Sequence, residues 1–123
     1  MTLNEYQLKA KETAVFPVCL VDSTTSTGIV VQRSAKWIYP ALGLAGEAGE
    51  VAEKFKKIIR DKHGVIDAED KDLIVKELGD VLWYIAVIAD CIGVVLEDVA
   101  AKNYEKLSSR KDRNKIKGNG DNR

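Results

Sequence analysis

Histidine is nearly missing from this chain: His63 is the only one in 123 residues. That scarcity excludes a good deal of chemistry. Zinc centres favour His and Cys ligands, and di-iron carboxylate bundles need paired Glu-x-x-His motifs. Nucleophilic triads built on histidine would all have to use His63, which falls at an expected helix end with no such partners beside it. Cysteine is equally sparse. Cys19 and Cys91 are far apart and lack metal-type spacing, so two free thiols in a reducing cytoplasm are expected. There is no excess of charge, with 19 Lys plus Arg against 19 Asp plus Glu, which argues against a general binder of nucleic-acid polymers. The most apolar run, residues 81–89, is too short to span a bilayer. The N-terminus has no basic region followed by an apolar run, so it does not read as a signal peptide. A Gly-x-x-x-x-Gly-Lys-Ser/Thr phosphate loop is also absent. The expectation is a cytoplasmic protein of one domain, with no membrane partner.

What the chain does have is carboxylate in pairs. Glu47 and Glu50 are three residues apart, and so are Glu77 and Asp80. Residues at that spacing share a helix face. Like charges so placed repel and cost a bare helix a few tenths of a kcal/mol. Two such pairs beside apolar residues point to a cation held between them. A hard divalent ion such as Mg²⁺, which takes oxygen ligands and keeps waters, suits the set; Mn²⁺ is a possible substitute.

The elements around these pairs are helical. A short helix over residues 3–14 is capped by Thr2 or Asn4. Residues 15–31 contain Pro17, a Ser/Thr-rich turn and the β-branched Ile29, Val30 and Val31, and read as a loop with a brief extended piece. A second helix starts near Ser34 or Tyr39 and runs to about Lys62. Its stripe of Leu44, Ala48, Val51, Phe55, Ile58 and Ile59 has core periodicity. Gly43, Gly46 and Gly49 recur at spacing three, each costing about 1 kcal/mol of helix propensity, which suggests close approach of another helix or a ligand. His63-Gly64 stops the helix. The third helix runs from about Asp70 to Cys91, capped by Asp67 or Asp70. It is apolar nearly all round past Asp80, so residues 81–89 are expected at a subunit interface. A fourth helix spans residues 96–109 on a stripe of Leu96, Val99, Ala100, Tyr104 and Leu107. Residues from Arg110 onward read as an exposed polar tail.

The spacing of the acids carries a resemblance. Glu47-x-x-Glu50, then residues 51–76, then Glu77-x-x-Asp80 resembles the signature of the all-α nucleoside triphosphate pyrophosphohydrolases, the MazG-like family. The flanking words Gly43-Leu44-Ala45-Gly46-Glu47-Ala48-Gly49-Glu50-Val51 and Lys76-Glu77-Leu78-Gly79-Asp80-Val81-Leu82-Trp83-Tyr84 fit as well. So do Asn103-Tyr104-Glu105-Lys106-Leu107 and the terminal Gly120-Asp121-Asn122-Arg123. The resemblance implies an all-α, four-helix-bundle-like MazG-type fold over residues 1–110, with 111–123 as the tail. It also implies hydrolysis of an NTP or dNTP between the α and β phosphates, giving the monophosphate and pyrophosphate, with a house-cleaning role. Glu47, Glu50, Glu77 and Asp80 match the family's Mg²⁺-holding acids. A triphosphate would be repelled by four carboxylates without cations between them.

Other residues have two readings each. Glu53 orients the attacking water or is a solvated helix acid. Lys54 and Lys57 meet phosphate oxygens or pair with acids along the helix. Asn103 and Lys106 match polar positions that the family places near its substrate, or simply form a polar helix face. Arg110 contacts phosphates or is solvated. Trp37 and Tyr84 stack on a base or belong to the core. A homodimer or homotetramer is expected. The competing reading is a non-catalytic helical module that binds a nucleotide or a partner without turnover.

Overall fold

The structure is a computed structural model that describes residues 1–119; the family-like words at 120–123 lie outside the described residues. Helix α1 (Leu3–Glu12) is followed by strands β1 (Cys19–Thr24) and β2 (Val30–Ala35). Helices α2 (Ile38–Lys62), α3 (Ala68–Cys91) and α4 (Leu96–Asp112) complete the order.

Each helix end has a local cause. Thr2 closes a capping box on α1: its Oγ1 accepts from the Glu5 N–H at 3.1 Å, and Glu5 Oε2 accepts from the Thr2 N–H at 2.7 Å. Asp67 and Asp70 repeat the device at α3. Helix α2 ends where His63 and Gly64 take positive φ of 52° and 81°. There the Gly64 N–H reaches back to the Ile58 carbonyl at 3.1 Å. The short connector then folds α3 back along α2. The antiparallel register is fixed by Lys62, whose Nζ lies 2.8 and 2.9 Å from the two oxygens of the buried Asp70 and 2.8 Å from Asp67.

The extended piece expected within residues 15–31 is larger than a brief one: it forms a β-hairpin with β2, which runs on to Ala35, so the fold is not purely helical. β1 and β2 pair antiparallel in the register Cys19↔Ala35 through Thr24↔Val30. The turn is held by the Thr25 N–H on the Ile29 carbonyl at 2.8 Å and by Gly28 at φ 81°. Valines on both sides of a glycine turn supply the propensity; the Ser/Thr content of the turn masked it. Leu20, Ile29 and Val30 on this hairpin are exposed.

The core sits where α1 crosses α3 and meets the start of α4. Ala10, Ala86, Val87 and Leu96 are buried there among Leu3, Tyr6, Phe16, Trp83 and Ile85. Gln7 ties the three helices together: its Nε2 donates to the Val94 carbonyl, and its Oε1 accepts from the Leu96 N–H, both at 2.8 Å. Trp83 Nε1 donates to Thr13 Oγ1 at 2.8 Å. Between α3 and α4 the chain bends by 104°, so a single chain does not close a parallel four-helix bundle.

Burial also redistributes two expected stripes. In α2 only Pro40 and Ile58 are buried, while Phe55 and Ile59 are exposed at 41% and 68%. In residues 81–89 the chain's own core takes Ala86, Val87 and Ala89, so that stretch as a whole is not an outward face. The exposed large apolar residues of α3 are Leu73, Val75 and Leu78, before that stretch, and Leu82 within it. Arg110, read as a phosphate contact or as a solvated residue opening the tail, is buried near the end of a helix that runs on to Asp112. Cys19 and Cys91 are free thiols. Among the described residues no single helix is long and apolar enough to cross a membrane.

Candidate metal centre

The α2–α3 hairpin turns two sequence pairs into one cluster. Carboxylate oxygens of Glu47, Glu77 and Asp80 lie within 4.8 Å of one another. Glu47 and Glu77 are half-buried and Asp80 is exposed, so the cluster opens to solvent on one side. Burial, followed by the charges of Asp80, Glu77 and Glu50, pushes the Glu47 carboxyl above its ordinary range. The proximity costs energy while all three acids are ionised, and a cation between them relieves it.

Glu50, expected as a fourth member, is close enough to raise Glu47 but falls outside the 4.8 Å set. Helix geometry explains this. Seven residues bring the helix round to within about 20° of the start, whereas three residues leave an offset of about 60°. Lys54, seven residues after Glu47, therefore faces α3 beside Glu47, and Glu50 is turned toward the edge. Lys54 Nζ lies 2.9 Å from Glu77 Oε1, and this hydrogen bond raises the Lys54 pKa. Glu53 is turned further away. It pairs with Lys56 at 3.1 Å and with Lys57 at 3.6 Å, and the Lys56 hydrogen bond holds its carboxyl below the ordinary range.

Tyrosines flank the other end of the cluster. Tyr84 packs against Gly43, where a side chain on the glycine would overlap the ring. Burial, then Tyr39, Glu47 and Asp80, push its phenol up. It meets Trp83 edge-on with ring centroids 4.8 Å apart, so the two aromatic residues form one unit. Tyr6 of α1 was not anticipated. Its hydroxyl reaches the Gly79 carbonyl at 3.5 Å, and burial followed by Asp80 raises its pKa. In the sequence it reads as one more apolar position of α1, and nothing there signals that α1 crosses α3 beside Asp80.

The remaining candidates are elsewhere. Trp37 stands half-exposed at the start of α2. Asn103 and Lys106 line a groove on α4 with Val99 and Lys102. Arg110 lies one turn beyond Lys106.

The antiparallel α2–α3 hairpin of this mostly helical protein thus gathers three carboxylates at one point. Residues 40–114 match the family model described as the MazG nucleotide pyrophosphohydrolase domain. The chain belongs to the MazG family. It is 46% identical, over the full length of both proteins, to Gene 37 protein of Mycobacterium phage L5. It is 42% identical over 72 residues to the uncharacterized protein YvdC of Bacillus subtilis (strain 168), covering 54% of this chain and 68% of that one. No solved structure matches the chain.

Proposed function

We propose that this chain is a Mg²⁺-dependent nucleoside triphosphate pyrophosphohydrolase. It cleaves an NTP or dNTP between the α and β phosphates, releasing the monophosphate and pyrophosphate, and so clears nucleotide pools. The observation that carries the reading is the convergence of Glu47, Glu77 and Asp80 within 4.8 Å, in a chain whose family is described as nucleotide pyrophosphohydrolases. Three carboxylates with no histidine or thiol among them are a hard oxygen donor set, which favours Mg²⁺, with Mn²⁺ as a substitute, over zinc. When bound, the ion neutralises phosphate charge and acidifies a coordinated water. The chain's own contribution is positioning. Lys54 orients Glu77, Gly43 admits Tyr84 beside Glu47, and Tyr6 stands by Asp80. Charge stabilisation and alignment are the main demands of phosphoryl chemistry. Glu53 is committed to Lys56 and Lys57, which favours its reading as a solvated acid.

The reading includes a homo-oligomer, dimer or tetramer. Beside the acid face, Leu44, Ala48, Val51, Phe55 and Ile59 recur at steps of three and four on α2. Val75, Leu78, Leu82 and Ile85 do so on α3. Phe55, Ile59, Val75, Leu78 and Leu82 are exposed in the single chain. A second hairpin packed on this face would bury them and complete a four-helix arrangement. A nucleotide contact from Asn103 or Lys106 is then drawn from another copy.

The decisive assay is pyrophosphate release from a panel of NTPs and dNTPs with Mg²⁺. Turnover is expected in the parent and absent in Glu77→Gln and Asp80→Asn. Nucleotide binding without pyrophosphate release under any metal condition would establish the non-catalytic module instead. A sedimentation coefficient of a monomer at micromolar concentration would remove the assembly.

A further inference from the structure

A cavity of about 290 Å³ lies toward the C-terminal end of α3. There the end of α1, the approach to β1, the joint between β2 and α2 and the last turns of α3 come together. From Asp80 to Asp90 the helix rises about 15 Å, so the cavity is separate from the carboxylate cluster. Its apolar wall is Ala14, Phe16, Val18 and Val87, of which Val87 is fully buried beneath the floor. The Phe16 ring is stacked on Tyr39, with centroids 5.5 Å apart and planes within 4°, which holds that part of the wall in place. The small side chain of Ala14 leaves the space open.

The polar rim carries more positive charge than negative. Lys11 Nζ lies 3.0 Å from Asp90 Oδ1, which pairs one lysine with the one carboxylate that lines the cavity. Lys36 lines it too, and among the described residues its ammonium has no ion pair. Cys91 is a neutral part of the wall, its thiol donating to the Lys36 carbonyl at 3.7 Å. Burial, then Asp90, push that thiol up, and the charges of Lys36 and Lys11 oppose them. Both ammonium groups therefore act at this cavity. An apolar pocket with a few polar groups at its edge is the usual form of a small-molecule site, and this volume suits a small ligand. The unpaired ammonium sets the sign of that ligand.

We propose that this cavity binds a small organic carboxylate with a flat apolar body, of the aryl-acetate kind. The body lies against Phe16 and Val87, and the carboxylate meets Lys36. The Lys11–Asp90 pair is neutral as a unit and adds no net charge. One spare ammonium and a mostly apolar lining favour a monoanion over a polyphosphate, so the site differs from the carboxylate cluster in ligand as well as in place. It is independent of the pyrophosphohydrolase reading.

The test uses the full chain. Phenylacetate is titrated by calorimetry, with 2-phenylethanol and phenethylamine as its neutral and cationic counterparts. Phenylacetate is expected to bind roughly threefold or more tightly than phenylethanol. It should also slow alkylation of Cys91 by iodoacetamide, read by mass spectrometry in a Cys19→Ser background. Lys36→Met should weaken phenylacetate binding by roughly threefold or more and leave phenylethanol binding as in the parent, and Lys36→Arg should restore most of the loss. Val18 is 47% exposed, so Val18→Asp puts a carboxylate at the edge of the cavity without burying it; phenylacetate binding should weaken and phenethylamine binding should not. Absence of saturable phenylacetate binding overturns the proposal, as does equal affinity for phenylethanol, or unchanged phenylacetate affinity in both Lys36→Met and Val18→Asp. Loss in Lys106→Met instead would place the anion on α4 and overturn it. Cys91 that alkylates at one rate with and without phenylacetate also overturns it. Cys91 that becomes reactive only on dilution to a monomer would assign the cavity to a second copy of the chain, with the same consequence.

Discussion

Replacing Gly43 by alanine separates two effects that usually travel together. Alanine is worth about 1 kcal/mol over glycine in a helix interior, and Gly43 lies well inside α2. Its new Cβ, however, would overlap the ring of Tyr84. That ring cannot swing away cheaply, because it is set edge-on against Trp83, which is itself bonded to Thr13 of the α1 terminus at 2.8 Å. Overpacking of this kind costs about 1–3 kcal/mol. Gly46→Ala, one turn later, is the matched control, since a Cβ there meets nothing within 4 Å. The propensity gain is common to both variants and cancels in their difference, so Gly43→Ala should be less stable than Gly46→Ala by about 1–3 kcal/mol. Gly46→Ala itself should melt a few degrees above the parent, about 4 °C for a chain of this size. Thermal melts and urea titrations read both quantities. Pyrophosphate release should fall in Gly43→Ala, because Tyr84 adjoins Glu47 and Asp80, and should persist in Gly46→Ala. Equal stabilisation by the two alanines would refute the claim that Gly43 exists to seat Tyr84.

Further outcomes follow from the same geometry. Glu47→Gln should reduce pyrophosphate release by more than about tenfold, and Glu50→Gln should reduce it less, because Glu50 lies outside the 4.8 Å set. Chelation with EDTA should abolish turnover, Mg²⁺ should restore it, and a rate indifferent to chelation would contradict a metal centre. The Lys62 ammonium holds the Asp67 carboxyl down from 3.8 to about 2. A depressed acid stabilises the fold above its unfolded pKa and loses that contribution as the pH falls through the folded value. Urea midpoints should therefore drop more steeply between pH 3.8 and about 2 in the parent than in Asp67→Asn, and parallel curves would refute the assignment. Trp83→Phe removes the bond to Thr13 and should cost about 1 kcal/mol in urea denaturation, without changing Mn²⁺ affinity.

The helices and their caps were legible because their signals are local. Thr2 with Glu5 and Asp67 with Asp70 are capping boxes written within four residues, and His63-Gly64 is a stop that needs no tertiary knowledge. The acid pairs were legible for the same reason. What escaped depends on the angle between elements. Three-residue spacing says that Glu47 and Glu50 share a face but not which of them faces α3, and the cluster takes Glu47 while Lys54 fills the position beside it. Periodicity showed that Phe55 and Ile59 belong to an apolar flank and did not show that the flank is outside the single chain. The β-hairpin was obscured by its own turn, since Ser and Thr are read as loop whether or not the flanking valines pair.

The interval between the two acid pairs is best understood as a ruler. From Glu47 to the end of α2 at Lys62 the helix rises about 22 Å, and from the start of α3 at Ala68 to Asp80 it rises about 18 Å. The five connector residues between them absorb the difference and reverse the direction. Acids at nearly equal heights on two antiparallel rods must meet if their azimuths agree, and Lys62 on Asp70 at 2.8 Å pins the far end so that the rods cannot slide. The same antiparallel arrangement explains why the seam has polarity. α2 brings its acids first and its lysines one turn later, while α3 brings Asp70 opposite Lys62 and Glu77 opposite Lys54. Lys54 and Lys62 of α2 thus each meet an acid of α3 at their own level, whereas at the height of Glu47 the acids Glu77 and Asp80 leave carboxylate facing carboxylate. Under the proposed metal reading, that level is where a cation would sit.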